Sequence, residues 1–177
     1  MKIKGLSKSY NSQIVLRDIT LELKKSSATL LLGDNGSGKT TLLNCIAGTL
    51  SSDRGEVDLD GNSRAYLAVE HMLYADLSIE ENLLLYAELY NHKEPAVSVA
   101  EVIFSLNLKD VSEKKVRECS LGIKKRASFA RVLLAKPEVV LLDEPFSGLD
   151  ASAKLGVKNI LASLKEQGAT LLIATHE

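Results

Sequence analysis

The stretch Gly33-Asp34-Asn35-Gly36-Ser37-Gly38-Lys39-Thr40 constrains this chain more than any other feature. It follows a short apolar run, Ala28 to Leu32. It precedes Leu42, Leu43, Ile46 and Ala47, whose spacing predicts one face of a helix that stops at Gly48. Strand, glycine-rich turn and helix form the context that the pattern GxxxxGK[ST] requires. The glycines let the backbone wrap so that several N–H groups converge on anionic oxygens, and the helix N-terminus adds its dipole. Lys39 then reaches the β- and γ-phosphates of a nucleotide, and the Thr40 hydroxyl holds Mg²⁺. An ordinary turn with a stray lysine is the plainer alternative. Average residue usage produces such a match only about 0.006 times in a chain of this length, so nucleotide binding is the stronger reading.

The rest of the chain supports an α/β fold. Residues 1–26 alternate apolar and polar in short runs and read as half-buried antiparallel strands. Residues 55–69 return to alternation (Val57, Leu59, then Tyr66, Leu67, Val69) and read as further strands of that small β layer. Helical spacing follows at Ile79, Leu83, Tyr86 and Tyr90, and again at Val99, Val102, Ile103 and Leu106. Residues 71–118 are therefore expected to form a helical insertion divided at Pro95. A helix over about 121–135 leads past Pro137 into Val139-Val140-Leu141-Leu142, a buried strand. Val157, Ile160, Leu161 and Leu164 mark the last amphipathic helix, which Gly168 ends, and Leu171-Leu172-Ile173-Ala174 is the final buried strand. Non-alternating strands separated by helices argue for a parallel sheet covered on both faces.

Composition sets outer bounds. A chain of 177 residues, 45% apolar and 25% charged, suits one globular domain with one sizeable core. A formal net charge of −1 gives no support for a nucleic-acid partner. Two cysteines, Cys45 and Cys119, make neither a disulfide framework nor a zinc pattern, so a reduced, cytosolic setting is the default. The segment MKIKGLSKSY has no apolar core of a signal peptide, and no run approaches the roughly 18 apolar residues of a membrane helix.

The strand Val139–Leu142 delivers Asp143 and Glu144 at its C-terminal end, where α/β sheets place ligands. One carboxylate there can contact Mg²⁺ and the next can polarise an attacking water, two tasks that phosphoryl transfer needs done. The plainer alternative is a solvated acidic turn before Pro145.

Three further segments narrow the choice. Ser120-Leu121-Gly122-Ile123-Lys124-Lys125-Arg126 stands before VVLLDEP, Ser147-Gly148-Leu149-Asp150 follows it, and the last strand ends in Ala174-Thr175-His176. In that order and spacing these resemble the signature, Walker B, D-loop and switch histidine of the ATP-binding subunits of ABC transporters, and the resemblance runs from Tyr10 to His176. It implies a P-loop core with a parallel sheet, a small antiparallel β subdomain and a helical insertion. It also implies ATP and Mg²⁺ as cofactors, and a head-to-tail dimer in which each ATP lies between one subunit's P-loop and the other's signature. The partners it implies are a second ATPase subunit and a separate transmembrane permease, on the cytoplasmic face of the membrane. Carried over by position, nucleotide contacts fall on Tyr10 (stacked on adenine), on Gly33, Asp34, Asn35, Gly36, Ser37, Gly38, Lys39, Thr40 and Thr41, and on Ser120 and Gly122 toward the partner's phosphates. Glu144 matches the catalytic base, Asp143 and Thr40 the magnesium partners, and His176 the residue that touches the γ-phosphate.

The sequence departs from the family pattern in three places. Cys119-Ser120-Leu121-Gly122-Ile123 stands where LSGGQ is usual, a variant that resembles bacterial exporters of the antibiotic and bacteriocin self-protection type. No glutamine occurs in Tyr66-Leu67-Ala68-Val69-Glu70-His71; Glu70, whose carboxylate can ligate magnesium, is the expected substitute, with Val69 the alternative alignment. Family domains run on past the switch histidine, whereas this chain stops at Glu177, which reads as a short or truncated subunit. A looser likeness joins YAELY and DEPFSGLD to the haem-exporter ATPase of cytochrome c maturation. The expectation is an ATPase that powers transport by a membrane subunit, an exporter by its signature. Tyr74, Leu77, Ile79 and Leu83 are candidate contacts with that subunit. The rival readings are a soluble ABC-type ATPase in a non-transport role, acting on nucleic acid, ribosomes or cofactor assembly, and a nucleotide-binding module that barely hydrolyses.

Overall fold

The computed structural model describes residues 1–68 and 72–176. Its elements run β1 (Lys2–Tyr10), β2 (Gln13–Glu22), β3 (Ala28–Leu32), α1 (Lys39–Ala47), β4 (Arg54–Asp58), β5 (Arg64–Leu67), α2 (Ile79–Leu89), α3 (Pro95–Ser105), α4 (Leu121–Leu134), β6 (Val139–Asp143), α5 (Ala151–Glu166) and β7 (Thr170–Thr175). Two short 3₁₀ turns, Lys109–Val111 and Val116–Glu118, lie between α3 and α4.

The strands divide into two sheets. An antiparallel sheet runs β2-β1-β4, and a parallel sheet runs β3-β7-β6-β5. The second sheet corrects one expectation. Tyr66 and Leu67 do not belong to the small β layer, because β5 pairs in parallel with β6, Tyr66 opposite Leu141 and Leu67 opposite Leu142. Their alternation comes from the position of β5 at the sheet's edge, where every second residue meets the core. Only β4, which pairs with β1, joins the antiparallel layer as expected. The other edge strand, β3, leaves Leu30 and Leu32 exposed, so the apolar run there is not a buried strand of the β6 kind.

Strands β6 and β7 are buried along their whole length. Their side chains still alternate between two cores, as the period of two in a strand demands. Val140, Leu142, Leu171 and Ile173 join the cluster built with α2–α5, around the fully buried Phe129. Val139, Leu141, Leu172 and Ala174 join the cluster that α1 shares with the antiparallel sheet. Continuing the odd-numbered series puts Asp143 on the α1 side, the side of the phosphate loop.

Helix α1 ends at Gly48, whose φ of 76° allows its N–H to reach the carbonyls of Asn44 and Cys45. Helix α2 begins with a capping box: the Ser78 hydroxyl accepts from the Glu81 N–H, and the Glu81 carboxylate accepts from the Ser78 N–H. Pro95 occupies the first turn of α3, where its missing N–H costs nothing. Ile79 and Leu83 are fully buried in the core, so they are not contacts for a membrane subunit; Tyr74 remains exposed.

Asn82 ties the segment before α2 to that helix. It is fully buried, accepts from the Tyr74 N–H at 2.7 Å, and donates to the Tyr74 carbonyl at 3.0 Å and the Ser78 carbonyl at 2.8 Å. Asn82→Leu leaves the Tyr74 N–H without its side-chain acceptor and loosens the hold on the Tyr74 and Ser78 carbonyls, which keep the backbone N–H groups of residues 77 and 82. It is expected to cost about 1–3 kcal/mol in urea unfolding and to speed protease cleavage near Tyr74. Wild-type stability and protection would remove Asn82 from this role.

Candidate functional site

The loop from Gly33 to Gly38 turns β3 into α1. Gly36 and Gly38 have φ of 83° and 95°, and a Cβ on Gly38 would meet Val15 and Leu16 at 3.1 Å. Both positions therefore favour glycine, one for its backbone alone and the other for space as well. No side chain caps α1 at Gly38, and its first turn carries no acidic residue, so the N–H groups and the positive end of the helix dipole face outward uncompensated. The Lys39 ammonium folds back across the loop and donates to the carbonyls of Gly33 at 2.5 Å and Asp34 at 3.0 Å.

A cavity of about 290 Å³ opens beside this loop, lined by Val15, Asn35, Gly36, Gly38, Lys39, Thr40, Thr41, Asp143 and Glu144. The phosphate loop and the carboxylate pair, more than a hundred residues apart in sequence, thus face one space. Asp143 is 1% exposed. Its Oδ2 accepts from the Tyr66 hydroxyl at 3.4 Å, while its Oδ1 is buried without a hydrogen-bond partner. Burial and the neighbouring Asp143 charge push the Tyr66 phenol well above its ordinary range, so it stays a neutral donor. A buried orphan carboxylate oxygen lining the same cavity as a threonine hydroxyl is a hard-oxygen donor set of the kind magnesium takes. The residues fit that ion: Thr40 and Asp143 would hold it.

Glu144 follows on the strand's end with φ of 47°, a left-handed conformation that costs a non-glycine residue about 1–3 kcal/mol. Its N–H donates to the Ala174 carbonyl at 2.9 Å, continuing the β6–β7 ladder by one bond. Its carboxylate Oε1 meets His176 Nδ1 at 2.9 Å. The two strand ends therefore bring a carboxylate that lines the cavity and an imidazole together.

Other expected residues lie elsewhere. Tyr10 stands half-exposed at the end of β1, with the Lys8 ammonium 5.7 Å from its ring centre, and does not line the loop cavity. Ser120 caps α4, its hydroxyl accepting from the Ile123 N–H at 3.4 Å. Together with Gly122 and Asp150 it lines a separate open groove of about 470 Å³, and a Cβ on Gly122 would meet nothing within 4 Å. Glu70, and Val69 with it, lies outside the described residues. Sequence reasoning passed over Val15, Tyr66 and Lys125. The first two were legible only once β2 and β5 were placed beside the loop and the acidic strand.

Comparison with known proteins identifies the family and the fold. Residues 16–147 match the family model described as ABC transporter. The chain is 34% identical to the uncharacterized ABC transporter ATP-binding protein YcbN of Bacillus subtilis, covering 99% of this chain and 61% of that protein. It is 31% identical to the lipopolysaccharide export system ATP-binding protein LptB of Haemophilus influenzae (98% and 78%), and 34% identical to the aliphatic sulfonates import ATP-binding protein SsuB of Bacillus subtilis (100% and 72%). The solved structure of an ATP binding subunit of an ABC transporter superposes with a TM-score of 0.89 at 28% identity, covering 99% of this chain and 78% of that one. The chain spans about 61–68% of the length of the first curated relatives it matches. Family model, relatives and fold agree: this chain belongs to the ABC transporter ATP-binding family.

Proposed function

We propose that this chain is a single ATPase domain that hydrolyses ATP within a dimer and so drives transport by a separate membrane subunit. The observation that carries the reading is Glu144, which lines the phosphate-loop cavity with its carboxylate engaged by His176, beside Asp143 with its buried, unpartnered oxygen. The loop N–H groups and Lys39 bind the phosphates of ATP, with the backbone from Gly33 to Thr41 wrapped around them. Magnesium, when bound, neutralises phosphate charge. Glu144 takes the proton of the attacking water; with Oε1 engaged by His176, its other oxygen is the one turned to the water. His176 orients that carboxylate and contacts the γ-phosphate. Tyr10 stacks on adenine in this reading, and Glu70, outside the described residues, would be a further magnesium ligand.

The separation of the Ser120–Gly122 groove from the phosphate loop supports a composite site, in which each subunit's signature closes over its partner's ATP. Among the described residues no helix is long and apolar enough to cross a membrane. In this reading the membrane subunit is a second protein and the ATPase works on the cytoplasmic face. Exposed Leu89, Val97 and Phe104 on α2 and α3, with exposed Tyr74 before α2, are the apolar side chains offered to it. The relatives include both an export and an import ATP-binding protein. The Ser-Leu-Gly signature favours export.

Three outcomes test the reading. Lys39→Ala removes a charged donor worth about 1.5–3 kcal/mol and is expected to weaken ATP binding by about ten- to a hundredfold in calorimetry; near wild-type affinity would refute the loop assignment. Glu144→Gln keeps the shape but cannot accept the proton. It is expected to bind MgATP normally, to turn over at least ~10²-fold more slowly, and to accumulate a dimer with MgATP in size-exclusion chromatography. Gly122→Arg fills the open groove, so hydrolysis is lost while the monomer still binds ATP. Parallel loss of binding would argue against a shared site.

A further inference from the structure

Glu144 is held by its backbone as firmly as by its side chain. Its N–H is fixed by the Ala174 carbonyl of β7. Its own carbonyl accepts from Lys125 Nζ at 2.7 Å and from the Ser147 N–H at 3.2 Å. Lys125 belongs to α4, on the face of the parallel sheet opposite α1, and is only 7% exposed. A buried ammonium is costly unless it is hydrogen-bonded, and the bond found for this one is to the peptide of the candidate base. Burial lowers the Lys125 pKa, opposed by the nearby Glu144 and Asp143 charges, so the lysine lies within the field of both carboxylates. A left-handed glutamate persists only where its surroundings over-determine it. Here the N–H bond restrains rotation about N–Cα, and the carbonyl bonds restrain rotation about Cα–C. Between them they set the direction in which the Glu144 side chain leaves the strand.

We infer that Lys125 is a positioning residue for Glu144, holding the peptide of the base so that its carboxylate meets the attacking water, and tying that placement to the helix that begins at Ser120 and Gly122. The inference rests on the reading of Glu144 as the base. Ser120, Gly122 and Lys125 lie within the first two turns of one helix, so a displacement of its start at one nucleotide site is carried to the base of the other.

The test is steady-state hydrolysis and MgATP calorimetry on Lys125→Met, Lys125→Gln and each in combination with Glu144→Gln, with thermal unfolding to establish folding. Lys125→Met is expected to lower kcat by roughly ten- to a hundredfold while leaving KM and the MgATP Kd within about twofold, the signature of misplacement without lost binding. Lys125→Gln retains a donor and is expected to recover most of kcat. In the Glu144→Gln background, Lys125→Met adds no further loss, because both act through one carboxylate. If Lys125→Met does not fold, Lys125→Ala takes its place in the same comparison. Wild-type kcat in the folded truncation, failure of Lys125→Gln to recover activity, or a full additional loss on top of Glu144→Gln each overturns the inference while leaving Glu144 as the base. Wild-type turnover by Glu144→Gln overturns the base reading itself, and the inference with it.

Discussion

The register between β6 and β7 is the constraint on which the rest of this molecule depends. Asp143 pairs with Ala174, and the next bond of the ladder joins Glu144 to the same residue. A slip of one residue would exchange the two faces, sending Asp143 into the α2–α5 core and an apolar side chain toward the phosphate loop. Burial of both strands in two apolar clusters forbids that slip, since it would also invert the partition of Val139 to Leu142 and Leu171 to Ala174. Each buried aliphatic side chain contributes about 1.5–3 kcal/mol. The acidic pair is thus aimed by hydrophobic sorting several residues upstream.

What could be read in advance followed from how local each signal is. The phosphate loop is a contiguous pattern with its own strand and helix, and the acidic strand is recognisable from four consecutive apolar residues. The parallel core with its antiparallel layer and intervening helices was likewise legible from the switch between alternating and continuous apolar runs. Strand β5 was misplaced because an edge strand of a parallel sheet alternates like an antiparallel one; only its pairing with β6 tells them apart. Ile79 and Leu83 stood as candidate contacts, with internal packing the plainer alternative, because one helix cannot reveal which side its neighbours cover; packing is what the fold shows. Lys125 stood between Lys124 and Arg126 in the signature segment, with nothing in the sequence to set it apart from them. Its burial depends on where α4 lies against the end of β6, a fact of tertiary packing alone. Tyr66 was equally hidden, since its hydroxyl meets Asp143 only through a parallel register.

The site also shows how strain and satisfaction are distributed. Asp143 carries an unpaired oxygen in the core, and Glu144 sits in a left-handed backbone, two local costs on adjacent residues. Around them the hydrogen bonding is close to complete: Tyr66, Lys125, Ala174 and His176 each engage one of the pair. Such concentration of local cost inside a well-bonded shell is how a fold keeps reactive groups in place without surrendering overall stability.

Strand β3 ends the parallel sheet among the described residues, and that has a consequence of its own. It presents backbone donors and acceptors beside exposed Leu30 and Leu32, with no charged residue or proline among its five residues to discourage pairing. An edge of this kind pairs with further extended chain. Such pairing would run through backbone groups alone and so be indifferent to magnesium and ATP, in contrast to any contact that a shared phosphate makes.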